Sequence, residues 1–339
     1  MSRRSIARAL CAATAALALA GPAGAKTEIR MGTLAPADSP WHRVLVQMSQ
    51  EWRDITGGEV TIKIFPGGAL GDENAMLQKT RVGLLQGMAI SGIGLPEIEP
   101  GVMALQIPLM FESYAELDFV RDRLAPELER RIAAKGFIVL NWADAGWVHF
   151  FTKNPARTPD DVRRTKLYIT AGDADTEELF KAAGFRPVPL SPTDMLTSLQ
   201  TGMIDAFDTP PLVALANQWF GLARHMIDLP WAPLVGATIV DRRAWDKIPE
   251  AHRPKLLAAA KRAGDRFRGE IRGLNDGAVL EMQKRGLEVV KLDAPTRATW
   301  RREVEAVYPK LRDRLVPGDV FDRVRRLRDE YRASAAPEE

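Results

Sequence analysis

Apolar positions along this chain switch repeatedly between a period of two and a period near 3.6. Thr27 to Thr33 alternates and reads as a strand. Asp38-Ser39-Pro40-Trp41 opens a helix, with Ser39 as N-cap and Pro40 at the first helical position. Trp41, Val44, Leu45, Met48, Trp52 and Ile55 then share one helical face, and Thr56-Gly57-Gly58 ends it. Val60 to Phe65 is a second strand, Asp72 to Leu85 a helix, and Gly87 to Gly92 a short apolar strand. This order predicts an α/β unit with a mainly parallel sheet.

A charged helix is predicted over 114–135, then strands at Phe137 to Trp142 and Trp147 to Thr152. Thr158-Pro159-Asp160-Asp161 marks a loop and a helix start, and Lys166 to Thr170 is a strand. A helix over 173–183 is closed by Gly184, Val188 to Leu190 is a brief strand, and a helix runs from Ser191-Pro192-Thr193-Asp194 to Thr201. Ile204 to Phe207 is strand-like, so a second α/β unit occupies roughly 152–235. Beyond Asp241 the pattern is mostly helical, interrupted once at Leu287 to Leu292. The helical segment from Arg253 carries Gly264, Gly269, Gly273 and Gly277. A helical glycine costs up to about 1 kcal/mol relative to alanine. Four of them point to close packing or a bend, or else to interrupted helices, and alanine at Gly269 and Gly273 is expected to stiffen the helix or to clash.

The ends of the chain change the reading of its charge. Arg3, Arg4 and Arg8, an apolar run from Ala9 to Ala20, and Ala23-Gly24-Ala25 before Lys26 form the pattern of a secretory leader cleaved after Ala25. The run is shorter than the roughly 20 residues of a spanning helix. Cys11, the only cysteine of the 339 residues, lies inside it. The full chain has 47 basic and 44 acidic residues; without the leader's three arginines the two signs balance. A nucleic-acid partner then has no electrostatic support. Hydrophobic residues at 46% and charged ones at 27% exclude disorder as the main state.

Catalytic and metal signatures are missing. His42, His149, His225 and His252 have no compact ligand spacing, and a chain without its leader has no thiolate for zinc. No P-loop, GxGxxG or GxSxG is found. The expectation is a non-enzyme with no cofactor. Trp41, Trp142, Trp147, Phe207 and Trp231 fall at predicted strand ends and loops, where aromatics line ligand clefts or pack a core. Thr201 to Pro211 is denser: a helix ends at Gly202, a strand follows, and Asp208 and Thr209 come at its end before Pro210-Pro211. Ligands bind at such strand ends in open α/β sheets, unless Asp208 caps the next helix.

Phe65-Pro66-Gly67-Gly68-Ala69-Leu70-Gly71-Asp72-Glu73, Ile107-Pro108-Leu109-Met110-Phe111, Thr158-Pro159-Asp160-Asp161-Val162 leading to Lys166-Leu167, Leu199-Gln200-Thr201-Gly202-Met203-Ile204-Asp205 and Trp245-Asp246-Lys247-Ile248-Pro249 occur in that order. Together they resemble the DctP family, the periplasmic solute-binding receptors of TRAP transporters. The resemblance implies an α/β, two-domain periplasmic-binding-protein-like fold, with a ligand cleft between domains, crossing strands and a long C-terminal hinge helix. Its implied division sets 26–147 plus 238–275 against 148–237 plus 276–332. It also implies a small-molecule ligand, a membrane permease as partner, and a periplasmic location.

The departures from the family pattern are as informative. Where members carry a carboxylate-gripping arginine this chain has Tyr168, a second basic position is Val148 with His149 beside it, and an expected asparagine is Thr209. Tyrosine offers one neutral donor and cannot reproduce a guanidinium fork. Ala171-Gly172-Asp173 and Thr209-Pro210-Pro211-Leu212 resemble a divergent branch of the family, associated with tetratricopeptide-repeat periplasmic partners and apolar pockets. The expected ligand is therefore a relatively apolar or neutral organic molecule, contacted by Tyr168, Trp147, Thr209, Phe207, Asp208, Asp173, Trp41, Trp142, Trp231 and Glu73. The alternatives are an organic-acid receptor using Arg81 or Arg224 as substitute cation, an exported enzyme built on Asp173 and Asp208, or a docking module using the Arg-rich stretch from Val320 to Tyr331.

Overall fold

The structure, a computed structural model, describes residues 26–172 and 174–335. The leader with Cys11, and Asp173, lie outside the described residues. Along the chain come β1 (Thr27–Thr33), α1 (Pro40–Ile55), β2 (Val60–Phe65), α2 (Glu73–Arg81), β3 (Gly87–Ser91), α3 (Tyr114–Ala134) and β4 (Phe137–Trp147). Next are β5 (His149–Thr152), α4 (Pro159–Arg163), β6 (Lys166–Thr170), α5 (Ala174–Ala182), β7 (Arg186–Leu190), α6 (Met195–Thr201), β8 (Ala206–Thr209), α7 (Pro211–Ala216) and β9 (His225–Ile227). The last part holds β10 (Pro233–Asp241), α8 (Arg242–Trp245), α9 (Arg253–Lys284), β11 (Glu288–Val290), α10 (Ala294–Glu305), α11 (Tyr308–Leu311) and α12 (Gly318–Ala335). Among these residues no helix is long and apolar enough to cross a membrane.

Local chemistry accounts for several boundaries. The Ser39 hydroxyl accepts the His42 N–H, with Pro40 opening α1. Asp72 caps α2 by accepting from Ala75 N–H at 2.8 Å. Thr158 and Asp161 form a reciprocal capping box at α4. The helix expected to reach Leu85 stops at Arg81, because Gly83 turns with φ +79°. Pro187 and Pro189 are tolerated in β7 because it is the edge of its sheet.

Two sheets result, ordered β2-β1-β3-β10-β4 and β11-β9-β5-β8-β6-β7. The expectation of a mainly parallel first sheet is corrected here. β1 pairs in parallel with β2 and β3, but β10 is antiparallel to both β3 and β4. β10 was not foreseen as a strand. Its residues are nearly all buried, so it shows an apolar run rather than alternation. Gly236 is required within it, since a Cβ there would stand 2.9 Å from the Ile90 carbonyl oxygen.

α9 crosses from one sheet to the other. Leu256, Ala259, Ala260 and Ala263 pack with Trp52 and the strands of the first sheet, whereas Met282 packs with Phe151 and Phe207 of the second. Its 32 residues are one uninterrupted helix. Gly264 is the point of closest approach: a Cβ there would lie 2.7 Å from the Asn141 Cβ and 3.0 Å from the Trp142 carbonyl oxygen. Gly269, Gly273 and Gly277 face open space, so the expected clash at Gly269 and Gly273 does not arise. Further along, the Asn275 amide donates to the Ala145 carbonyl at 2.9 Å and accepts the Leu212 N–H at 3.0 Å.

Between these points Arg272 clasps two acids. Its guanidinium makes two bonds to Asp118 of α3 and one to Asp144 of β4, all 2.7 Å, and lies 4.1 Å from the centre of the Tyr114 ring. Asp144 is buried, and among the described residues its second oxygen has no hydrogen-bond partner. Arg272→Ala should therefore cost about 3–5 kcal/mol in urea unfolding, because it strands a buried charge, and adding Asp144→Asn should restore part of the loss. Gly264→Ala should destabilise by about 1–3 kcal/mol through overpacking. Gly269→Ala should instead stabilise by up to about 1 kcal/mol.

Candidate functional site

The C-terminal ends of β6 and β8 face the loop after β3 across a cavity of about 670 Å³. That is within the roughly 300–1,000 Å³ usual for small-molecule sites. Gly92, Ile93 and Gln106 contribute from the side of the first sheet, and Thr170, Asp208 and Thr209 from the second. Trp231 to Leu234, leading into β10, join the two walls. The cavity extends past Ile169 to Phe180, Phe185, Val304 and Leu311, an apolar arm beneath α10 and α11.

Of the expected ligand contacts, Tyr168, Asp208, Thr209 and Trp231 line this cavity. Asp208 and Thr209 are the last residues of β8, and the next helix is capped at Pro210, so Asp208 is not its cap. The other expected contacts sit elsewhere. Phe207 is fully buried, stacked on Phe151 at 5.0 Å. Trp142 is buried, with its indole N–H on Glu129 at 2.9 Å. Trp147 packs on Tyr114 at 5.6 Å. Trp41 is half-buried against the cluster of Leu212, Phe267 and Ile271. Glu73 is buried, and its carboxylate accepts the Ser91 N–H at 2.7 Å and the Ser91 hydroxyl at 2.9 Å. Polar lining residues that the sequence reading passed over are Asn74, Gln106 and Thr170. Gln106 donates to the Gly92 carbonyl and accepts the Val235 N–H, tying the cavity wall to β10. Its place directly before the Ile107-Pro108 motif was the available signal.

The electrostatics of the wall are set by acids. The Tyr168 hydroxyl shares a hydrogen bond with Thr170 at 3.1 Å. Burial raises its pKa above the ordinary value, and the charges of Asp208, Glu73 and Asp72 raise it further. Val148 lines the cavity, and the adjacent His149 is buried with Nδ1 3.0 Å from the Ile227 carbonyl oxygen. Burial depresses the pKa of that imidazole and keeps it neutral. Of the cationic lining residues, Arg163 pairs with Asp160 and Glu303, Arg314 pairs with Glu178, and Lys135 is exposed. Arg81 and Arg224 do not line the cavity; each donates to a backbone carbonyl at the surface. In α12 and just before it, Arg323, Arg332 and Arg312 pair with Glu127, Glu116 and Asp322 of the same chain.

Asp208 stands apart. Its carboxyl is pushed up to about 6 by burial, with its own backbone N–H the only opposing influence. Among the described residues no side chain bonds to it.

Two α/β sheets joined by crossing strands and a bridging helix, with a cavity between them at the strand ends, define a two-domain solute-binding protein. Residues 31–314 match the family described as Bacterial extracellular solute-binding protein, family 7 (DctP), and the chain belongs to that family. It is similar to the C4-dicarboxylate-binding periplasmic protein DctP of Rhodobacter capsulatus, 26% identical over 324 residues, or 93% of this chain and 96% of the relative. It is also similar to the 2,3-diketo-L-gulonate-binding periplasmic protein YiaO of Escherichia coli, 24% identical over 82% of this chain and 87% of the relative. Among solved structures, the sugar acid binding protein of Advenella mimigardefordensis in complex with galactonate superposes with a TM-score of 0.84 at 18% identity, covering 90% of this chain and 98% of that one. A TRAP periplasmic solute binding protein of Sulfurospirillum deleyianum with bound succinate does so with a TM-score of 0.82 at 22% identity, covering 89% and 99%. The expected two-domain α/β fold is thus met, and the family is one of solute-binding proteins.

The raised pKa of Asp208 has a stability consequence. Between its ordinary value near 3.8 and about 6, the folded state holds a proton that the unfolded chain has released. Stability therefore falls as pH rises through that window and stays reduced above it. Asp208→Asn should raise unfolding stability by about 1–3 kcal/mol at about pH 7.5 and leave it unchanged at about pH 3.5. Equal urea midpoints for the two proteins at both pH values would contradict this.

Proposed function

We propose that this chain is the extracytoplasmic receptor of a TRAP-type transporter, periplasmic once its leader is cleaved after Ala25, and that it captures a relatively apolar or neutral organic molecule. Closure of the two domains over the ligand would then present it to the membrane permease. The observation that carries the reading is Tyr168: a tyrosine whose hydroxyl is engaged with Thr170 occupies the position in β6 where the family resemblance expects an arginine. Val148 and the neutral His149 leave the second basic position without a charge. A buried carboxylate needs a charge partner or several donors, and the paired arginines of the wall are already neutralised by Glu303 and Glu178.

Tyr168, Thr170, Thr209 and Trp231 are the contacts assigned here to the ligand, with the apolar arm under α10 accommodating its hydrocarbon part. Burial of one large apolar group against such a wall contributes about 1.5–3 kcal/mol. The reading includes membership of the divergent branch and a tetratricopeptide-repeat periplasmic partner, supported by the same missing arginine. Mass spectrometry of the denatured, freshly purified protein should reveal a retained neutral or apolar molecule. In a thermal-shift screen, succinate and galactonate should leave the melting temperature of ligand-free protein unchanged. Tight binding of either acid would overturn the proposal in favour of an organic-acid receptor.

A further inference from the structure

Asp208 is the third residue of β8 and the cross-strand partner of Phe150 in β5. Residues directly opposed in an antiparallel pair put their side chains on one face. The Asp208 carboxylate therefore shares a face with the Phe150 ring, which packs against Trp231 at 5.0 Å and Trp300 at 5.7 Å. Trp231 and Trp300 also meet edge to face at 5.7 Å, and both line the cavity with Asp208. Trp231 is fixed by its backbone, donating to the Val148 carbonyl at 2.8 Å and accepting the Leu109 N–H at 2.7 Å. A half-buried carboxylate beside an aromatic cluster, with no partner among the described residues, is normally removed by selection or used.

We infer that the cleft takes an organic ligand carrying a protonated amine, whose N–H groups donate to the Asp208 carboxylate while its cationic end lies against the Trp231 ring. This rests on the proposal of a relatively apolar ligand without a carboxylate, and it replaces the neutral form of that reading with an apolar body that carries one protonated amine. An alcohol offers Asp208 a single donor and leaves its charge unbalanced in a partly dehydrated site. An ammonium supplies both the donors and the counter-charge. An aromatic face attracts a cation through its quadrupole and has no comparable preference for a hydroxyl. Acids surround the site as well: the charges of Asp208, Glu73 and Asp72 all act on the Tyr168 hydroxyl.

The test compares three molecules of similar shape by calorimetry on the purified protein freed of retained ligand: 2-phenylethylamine, 2-phenylethanol and 3-phenylpropanoate, with succinate as a fourth probe. The amine should bind at least about tenfold tighter than the alcohol, as a charge-assisted hydrogen bond requires. Asp208→Asn should remove that advantage without weakening the alcohol. An amine that binds no better than the alcohol, fails to bind at millimolar concentration, or is unaffected by Asp208→Asn overturns the inference and leaves the neutral-ligand reading standing. Preferred binding of 3-phenylpropanoate or succinate overturns both.

Discussion

The rest of the architecture depends on the seat of α9. One helix is packed by its first half against the first sheet and by its end against the second. Gly264 lets it touch the backbone of β4, Asn275 bonds to Ala145 near the end of the same strand, and between them Arg272 is fastened to Asp118 and Asp144. Three kinds of contact thus fix the same crossing: close backbone approach, amide bonding and a partly buried ion cluster. A buried ion pair contributes little net stability, but its geometry admits few alternatives. The clasp is better understood as setting the angle between helix and strand than as a source of free energy. The cavity walls inherit that angle, since β4 continues directly through Val148 into β5.

The site has the opposite economy. Where the α9 crossing pairs its charges, the cavity wall leaves Asp208, among the described residues, without a side-chain partner beside aromatic rings. Proteins tolerate such groups mainly where function draws on them. The backbone around it is well fixed, with Trp231, Ala232 and Val148 hydrogen-bonded to one another. A preset wall with one unmet electrostatic demand selects ligands by charge and donor count before it selects them by shape.

Much of this was legible in the sequence, for identifiable reasons. Ser39-Pro40 and Thr158-Pro159-Asp160-Asp161 announce helix starts because their side chains must satisfy local N–H groups whatever the tertiary context. The end of β8 was legible through Asp208-Thr209-Pro210-Pro211, where the prolines forbid the strand to continue. β10 was not, because a strand buried on both faces loses the alternation that marks a strand, and Pro233 and Gly236 weaken what remains. Aromatics were the poorest guide. Trp231 reached the cavity, whereas Phe207 and Trp142 went to the interior, and a ring at a strand end carries no signal that separates these outcomes. That Asp208 has no side-chain partner among the described residues is a property of the folded chain alone.

The position of β10 in the first sheet bears on how the molecule comes to be folded. It lies between β3 and β4, so those two strands are joined only through a segment that follows all but one strand of the second sheet. A nascent chain that has not yet reached Asp241 has two unpaired strand edges and cannot close its first core. Contacts this distant in sequence make for slow assembly. The delay leaves the edges of β3 and β4 open to wrong partners until β10 is made.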